Sequence, residues 1–138
     1  MSKRDKIHDA VRNALVNDGW TITADPFEIT YKKVTLRADL AADRIIAAER
    51  GVEKIVVEIK SFLSPSPIHE LQTALGQFEL YSTYLQLSEP ERKLYLAVST
   101  DIWERFFLRE EVMLIVEKYQ LPFLIVNIQT EEVAQWTR

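Results

Sequence analysis

The chain has no cysteine, only two histidines and only three glycines among its 138 residues. The absence of cysteine excludes disulfide bonds, thiolate zinc sites and thiol nucleophiles. His8 and His69 do not form an HxxxH or HExxH pattern, so a histidine zinc site is not expected. The chain also has neither a glycine-rich phosphate loop nor the G-x-S-x-G motif of a nucleophile elbow. Several common classes of enzyme are thereby excluded.

Long apolar runs are missing as well. No apolar stretch approaches the roughly 20 residues needed to cross a membrane. The segment Met1–Lys6 is rich in charge and leads into an amphipathic segment, unlike a signal peptide. We therefore expect a single domain over residues 1–138, no membrane partner and a cytoplasmic location.

The chain has no excess of positive charge, since its net charge is −4. A protein that binds duplex DNA unaided usually has a basic surface, because phosphate neutralisation supplies much of the affinity. The net charge therefore counts against tight binding of nucleic acid by this chain alone. It leaves room for a locally basic cleft, a metal-bridged contact or a partner that brings the DNA.

Helical periodicity marks three segments of the chain. In the first segment, apolar residues recur at i, i+3, i+4 and i+7, Ser2 can cap the helix, and Gly19 follows its end. A cap at Thr100 or Asp101 is expected for the third. The predicted helices are Lys3–Val16, Ile68–Leu87 and Asp101–Tyr119, with one more helical turn over Glu131–Trp136.

Alternation of apolar and polar residues predicts the strands. Over Val34–Asp43 the alternation is regular, although an alanine-rich helix over Leu40–Glu49 is the alternative. A strand is favoured because the pattern continues through Ile46 and Gly51 offers a turn. The predicted strands are Phe27–Lys33, Val34–Asp43, Lys54–Lys60, Leu94–Val98 and Leu121–Ile128. The order α-β-β-β-α-β-α-β predicts an α/β sandwich around one mixed sheet.

The short β-branched run Val56–Ser61 carries the most informative chemistry. Strand side chains alternate between faces, so Glu58 and Lys60 emerge on the same side. A carboxylate can hold a divalent metal, and a neighbouring lysine can orient or deprotonate water or stabilise a developing negative charge. The alternative is a solvated ion pair, worth at most about 1 kcal/mol.

Two upstream aspartates could join Glu58 in a site. Asp39 and Asp43 share a strand face but lie about 13 Å apart, so one site would use only one of them. A tight hairpin centred on Arg50 and Gly51 would place Asp43 opposite Glu58. Asp39 would need a bulge or a longer, twisted ribbon. The spacing therefore leaves both aspartates open.

The second predicted helix carries polar side chains on one face. Gln77 and Tyr81 are four residues apart, so both could contact a phosphate or a metal-bound water, or they could form a buried supporting pair. Gly76 costs a helix about 1 kcal/mol relative to alanine, which predicts close packing on the sheet or on a ligand. His8, on the first helix, either joins the site or lies on an exposed turn.

An acid-bearing strand, then Glu-x-Lys, then Q-x-x-x-Y on a helix resembles the PD-(D/E)XK nuclease superfamily and its RecB-like members. Longer segments are similar to the family of FdxN element excision controlling factors, XisH. The segments that carry this resemblance are His8–Leu15, Asp18–Thr23, Asp25–Pro26, Ala38–Asp43, Ile45–Glu49, Val57–Phe62, Ala74–Gln77 and Leu94–Val98.

The resemblance implies a restriction-endonuclease-like three-layer sandwich with a central mixed sheet. It also implies a factor that controls site-specific excision of a DNA element during heterocyst development. The expected partners are DNA, a site-specific recombinase and a small XisI-like companion protein.

The superfamily's roles imply a site that binds Mg²⁺ or Mn²⁺. Asp39 is the first choice to join Glu58 as a metal ligand, with the Ile59 carbonyl as a third ligand and Asp43 as the alternative acid. Lys60 is expected to hold or activate the attacking water, and Gln77 to assist it. The residues expected to contact substrate are Tyr81, Ser61 and His8.

Two functions follow from these features. The first is a metal-dependent DNA endonuclease, and the second is a catalytically inactive nuclease fold that regulates excision by binding an XisI-like partner or the recombinase. Trp103, Phe106, Phe107 and Trp136 supply more apolar surface than a small core needs, which favours a homo-oligomer or a hetero-complex.

Overall fold

The computed structural model describes residues 2–47 and 51–138. Its first helix, α1, spans Lys3–Asn17, and its N-cap is Ser2, whose Oγ accepts a hydrogen bond from the Asp5 N–H at 3.1 Å. The helix ends at Asn17 with Asp18 as its C-cap, and Gly19 follows with a φ of 92°, a left-handed conformation that favours glycine. The predicted helix and both of its end signals are confirmed.

The remaining elements follow in chain order. They are β1 (Thr21–Ala24), β2 (Phe27–Tyr31), β3 (Val34–Ala38), β4 (Leu40–Ala47), β5 (Gly51–Ile59), α2 (Pro67–Ser88), β6 (Arg92–Ser99), α3 (Thr100–Ile102), a π-helical segment (Trp103–Phe107), α4 (Glu110–Tyr119), β7 (Phe123–Asn127) and β8 (Glu132–Thr137). None of the described helices is long and apolar enough to cross a membrane.

Six strands form the central sheet, in the order β1-β4-β5-β6-β7-β8. The strands β5, β6 and β7 run parallel to one another, whereas β1, β4 and β8 pair antiparallel with their neighbours. The strands β2 and β3 form a separate antiparallel ribbon that packs against α2. The predicted mixed sheet is confirmed.

Helices cover both faces of this sheet. Along β5, Ile55 and Val57 pack on the α1 side, and Val56 packs on the opposite side with Leu85 of α2. Along β7, Leu124 faces the α1 side, whereas the alternate residues pack with the π-helical segment and α4. Because strand side chains alternate, one strand serves two cores, and the result is the predicted three-layer α/β sandwich.

The segment Val34–Asp43 is two strands, not the one strand that its alternation predicts. β3 pairs with β2, β4 pairs with β1 and β5, and Asp39 is the residue between them. Ala38 packs on the α2 side, whereas Leu40 packs on the α1 side. The chain changes sheets at Asp39, and alternation within a sequence does not reveal such a change. The competing helix over Leu40–Glu49 is not formed up to Ala47, and its last residues lie outside the described part.

The predicted helix Asp101–Tyr119 is also interrupted. Its N-cap is Ser99, whose Oγ accepts from the Ile102 N–H, and not Thr100 or Asp101. The π-helical segment turns Trp103, Phe106 and Phe107 together into the core, and the chain restarts as α4 after an extended Arg109. The expected apolar surface is therefore wrong for these three aromatic residues, because they fill the core.

The alternation of apolar and polar residues in the sequence predicts neither outer strand of the sheet, β1 or β8. Residues Glu131–Trp136 were expected to form a helical turn, but β8 pairs antiparallel with β7. β1 likewise occupies a stretch that has no clear period. Trp136 packs at 4.9 Å from Tyr95, between ring centroids, which holds β8 against the sheet. Edge strands have one hydrogen-bonded neighbour and a weak burial pattern, so tertiary pairing decides their conformation.

Candidate active site

Asp39 and Glu58 meet where two strands end. β4 and β5 pair so that Leu40 lies opposite Val57, which brings Asp39 to the level of Glu58. Asp39 Oδ2 accepts a hydrogen bond from the Ile59 N–H at 2.7 Å. This bond holds one carboxylate oxygen of Asp39 and leaves the other oxygen for further contacts.

Asp43 does not belong to this cluster. It lies opposite Lys54, four residues before Glu58, and its Oδ1 accepts from Arg92 at 3.1 Å. The alternative that a tight hairpin centred on Arg50 and Gly51 places Asp43 opposite Glu58 is therefore wrong, because the observed register pairs Asp43 with Lys54. Of the expected centre, Arg50 lies outside the described residues, and Gly51 begins β5.

Lys60 is held between two acceptors. Its Nζ lies 3.3 Å from Glu58 Oε2 and also donates a hydrogen bond to Gln77 Oε1. The Lys60 main chain is anchored as well, because its N–H donates to the Ala97 carbonyl at 2.9 Å. Strand alternation brings Glu58 and Lys60 to the α2 side of the sheet, where Gln77 extends from the helix. The predicted Glu-x-Lys and Gln77 thus come together.

Glu58 is the buried charged residue of the described core, with 8% of its surface exposed. Its burial, the negative charge of Asp39 and a hydrogen bond with Asp39 raise the pKa of Glu58 to about 7, although Lys60 acts in the opposite direction. Two carboxylates at hydrogen-bonding range with one ammonium nearby leave an excess of negative charge. The site therefore favours either a proton or a further cation.

These residues line an open cavity of about 420 Å³. Glu70 and Thr73 of α2 also line it, although sequence reasoning did not single them out. Glu70 Oε2 is buried and has no hydrogen-bond partner among the described residues. Glu70, Thr73 and Gln77 have the spacing i, i+3, i+7, so the helical period that placed Gln77 on one face could have found the other two.

The three predicted substrate contacts have different surroundings. Ser61 and His8 line the cavity, whereas Tyr81 does not. Tyr81 donates its hydroxyl proton to the Arg37 carbonyl at 3.2 Å, two residues before Asp39. Burial and the charges of Glu58 and Asp39 raise the pKa of Tyr81. Tyr81 therefore ties α2 to the chain that leads into Asp39.

His8 is held at the edge of the cavity by an aspartate. Its Nε2 lies 3.0 Å from Asp25 Oδ1, and Arg12, one turn further along α1, donates to the other oxygen. Burial opposes ionisation of Asp25, but the hydrogen bonds and charges of His8 and Arg12 outweigh it, so the pKa of Asp25 is lowered. His8 thus joins α1 to the end of β1.

Gly76 lies on the exposed side of α2. A Cβ placed there would have no heavy atom within 4 Å. The expectation that glycine allows close packing of this helix is wrong, since the packed positions are Leu71, Ala74 and Leu85.

Asp39 and Glu58 have the chemistry that a hard divalent cation requires. No group of three or more His, Asp or Glu side chains within residues 2–47 and 51–138 is placed to hold a metal ion. Mg²⁺ commonly binds through one or two carboxylates, with waters and substrate phosphates completing its octahedron. Asp39 and Glu58 are two carboxylates at hydrogen-bonding range, so their chemistry fits that mode, and their crowding supplies the negative charge.

Comparison with known proteins gives a consistent result. The family model "XisH protein" matches residues 1–134. An XisH family protein from Nostoc punctiforme is 41% identical, with a TM-score of 0.88, and the alignment covers 97% of this chain and 100% of that one. An FdxN element excision controlling factor protein from Anabaena variabilis is 40% identical, with the same TM-score, over 98% and 100% of the two chains. No curated protein matches significantly.

Proposed function

Because this chain belongs to the XisH family, we propose that it is an excision controlling factor that acts on DNA as a Mg²⁺- or Mn²⁺-dependent endonuclease of the PD-(D/E)XK type. A relative with 40% identity is described as an FdxN element excision controlling factor. The observation that carries the nuclease proposal is the convergence of Asp39, Glu58, Lys60 and Gln77 on one cavity. The site would process DNA during site-specific excision.

The proposed metal ligands are Asp39, Glu58 and the Ile59 carbonyl. A bound Mg²⁺ would polarise the phosphodiester and lower the pKa of a bound water. Asp39 is preorganised for this role because the Ile59 N–H fixes one of its oxygens. Asp43 is excluded from the proposed ligand set, since Arg92 neutralises it outside the cavity.

Lys60 acts as a hydrogen-bond donor in the proposed reaction. Its ammonium group contacts two acceptors, Glu58 and Gln77, and so retains a third N–H for a substrate oxygen or the attacking water. Gln77 sets the direction of the Lys60 side chain through its amide oxygen. An ammonium held in place beforehand stabilises the negative charge that develops on the phosphate.

The first test combines calorimetric titration of Mn²⁺ or Mg²⁺ with plasmid nicking on the same samples. We expect Glu58→Ala to lose metal binding and nicking, since it removes a proposed ligand. Lys60→Ala should retain metal binding and lose at least about 100-fold in nicking rate. Asp43→Asn is the matched control, because it removes a carboxylate outside the cavity, and it should retain both activities.

Metal binding and nicking that persist in Glu58→Ala would overturn the nuclease proposal. Absence of nicking in the wild-type protein, with and without an XisI-like companion, would do so as well. Circular dichroism and thermal unfolding of each variant separate a lost site from a lost fold. A large loss of stability in both Glu58→Ala and Lys60→Ala would mean that the pair is structural.

A second candidate function is regulation by binding an XisI-like partner or the recombinase. Leu80 and Leu87 of α2 are 51% and 56% exposed and lie seven residues apart, so they share the outer face of the helix. A complex that co-elutes with the companion and persists in Lys60→Ala would favour this role. Loss of co-elution in Leu80→Ser/Leu87→Ser would place the contact on α2, and light scattering would reveal a homo-oligomer instead.

A further inference from the structure

A second cavity opens beside the candidate active site, at the carboxyl ends of β6 and β7. We call it the α1 groove, because the first two turns of α1, with Lys3 and Lys6, form one of its walls. Its volume is about 570 Å³, and it shares Ile7 and Ser61 with the cavity that contains Lys60. A polymer bound in one cavity therefore has a direct path into the other.

The α1 groove is locally basic on a chain of net charge −4. Three cations line it, against two acids. Arg105 and Asp101 neutralise each other in an ion pair of 2.7 Å, which leaves Glu104 as the other acid. Lys3 and Lys6 are exposed, and neither forms an ion pair with a side chain that the structure describes. The wall that α1 contributes can therefore bind an anionic ligand.

Neutral hydrogen-bond donors at the ends of β6 and β7 supplement the lysine charges as contacts for an anion. Ser99 Oγ accepts from the Ile102 N–H, so its hydroxyl proton remains able to donate. Asn127 Oδ1 accepts from the Gln129 and Thr130 N–H groups, so its amide N–H groups are directed elsewhere. Both residues line the α1 groove. Hydroxyl and amide donors beside lysines are the usual contacts of a DNA phosphate.

The groove is poorly suited to unstacked bases. Phe62 is the aromatic residue among its described lining, and it is only 6% exposed. Proteins that bind single strands stack bases on exposed aromatic faces. The lysines and small polar groups favour contact with the sugar-phosphate backbone of a duplex, without reading its sequence.

We propose that the α1 groove binds the phosphate backbone of duplex DNA adjoining the phosphodiester in the active site, with Lys3 and Lys6 each neutralising one phosphate. The inference deepens the proposed function, because the same DNA strand passes from the groove into the cavity at Ser61. It assigns substrate binding to α1, which the Glu-x-Lys site itself does not require.

Fluorescence anisotropy of a labelled duplex oligonucleotide tests this, with Ca²⁺ in place of Mg²⁺ so that binding is measured apart from cleavage. Lys3→Ala/Lys6→Ala should weaken binding roughly 10- to 100-fold near 0.1 M salt, and lower the slope of log affinity against log salt by about 1.8. Lys3→Arg/Lys6→Arg should retain both the affinity and the slope, because the charges remain.

Lys33→Ala/Lys118→Ala is the matched control, since both lysines are exposed and line neither cavity. Equal binding by the two alanine pairs, or no duplex binding by the wild-type protein, would overturn the proposal that the α1 groove binds DNA. A lysine effect on binding in a protein that never nicks DNA would support the groove and contradict the nuclease. Nicking by a protein whose DNA binding is unchanged in Lys3→Ala/Lys6→Ala would support the nuclease and contradict the groove.

Discussion

At the scale of single residues, Glu58 combines two unfavourable features. It is buried, and it lies beside a second carboxylate, Asp39. Both features disfavour its charged form, and Lys60 offsets them only in part. Such crowding is typical of sites whose charges serve a ligand, because a purely structural ion pair would have its acid and base in equal number.

The raised pKa predicts how stability depends on pH. An ordinary glutamate near 4.5 loses its proton in the unfolded chain, whereas folded Glu58 keeps it up to about pH 7. The folded state therefore binds more protons between these values, and stability falls as pH rises through that window, on the order of 3 kcal/mol. Glu58→Gln removes this dependence, so its stability relative to wild type should grow from pH 4.5 to pH 8.

Urea unfolding in EDTA at a series of pH values measures the effect. The difference curve between wild type and Glu58→Gln should be flat below pH 4.5 and level off above pH 7. Asp43→Asn serves as the control, because its carboxylate lies outside the cavity and contacts Arg92. Parallel curves for wild type and Glu58→Gln would show that burial does not hold the proton on Glu58.

The residues of the site differ in how far sequence could find them. Glu58 and Lys60 share a face because strand alternation is local, and Gln77 follows from helical period. Asp39 could not be chosen over Asp43 by spacing, since that choice depends on the register between β4 and β5. Glu70 has the helical spacing that places it on the same face as Gln77, but it belongs to no recognisable motif. Its place beside Glu58, Lys60 and Gln77 is shown only by the cavity that they line together.

At the scale of elements, α2 connects the sheet to the candidate active site. Its buried side holds Leu71, Ala74 and Leu85, and its flank toward the cavity holds Glu70 and Gln77. Ser66 caps the helix by accepting from the His69 N–H, and Pro67 occupies its first turn, as expected for this position. The cap therefore fixes the N-terminal end of α2, which is the end nearest to Glu70 and the cavity.

Gly76 weakens α2 without any packing benefit in the structure. Replacing it by alanine should stabilise the protein by about 1 kcal/mol, because alanine restricts the unfolded chain and favours the helix. The added methyl group meets no heavy atom within 4 Å. Thermal and urea unfolding measure the gain, and Ser82→Ala, elsewhere on the same helix, reports the effect of an ordinary alanine. A loss of stability in Gly76→Ala would show that the glycine is needed by a contact that the fold does not display.

At the scale of the whole molecule, aromatic packing joins the last third of the chain to the sheet. Phe107 is fully buried, and its ring centroid lies 4.7 Å from Phe123 of β7 and 5.2 Å from Phe62. The π-helical segment aims Phe106 and Phe107 into this core together. Phe62 directly follows Ser61, so the same cluster supports the loop beside the candidate active site.

Removing Phe107 should therefore affect the whole fold. Phe107→Ala is expected to cost about 3–5 kcal/mol, since it leaves a large cavity among packed aromatic rings. Leu108→Ala is the matched control, because Leu108 is 55% exposed and should cost little. The midpoint of urea unfolding compares the two, and similar midpoints would mean that the cluster can collapse around the missing ring.

Local patterns in the sequence were sufficient to predict α1, α2, the parallel strands β5, β6 and β7 and the shared face of Glu58 and Lys60, because capping, helical period and strand alternation depend on neighbouring residues. Contacts between distant residues were needed to select Asp39 over Asp43 as the neighbour of Glu58, to divide Val34–Asp43 between two sheets and to make Glu131–Trp136 part of an edge strand. The burial of Trp103, Phe106 and Phe107 was likewise set by packing. These outcomes depend on strand register and packing between residues far apart in the chain, which local patterns do not encode.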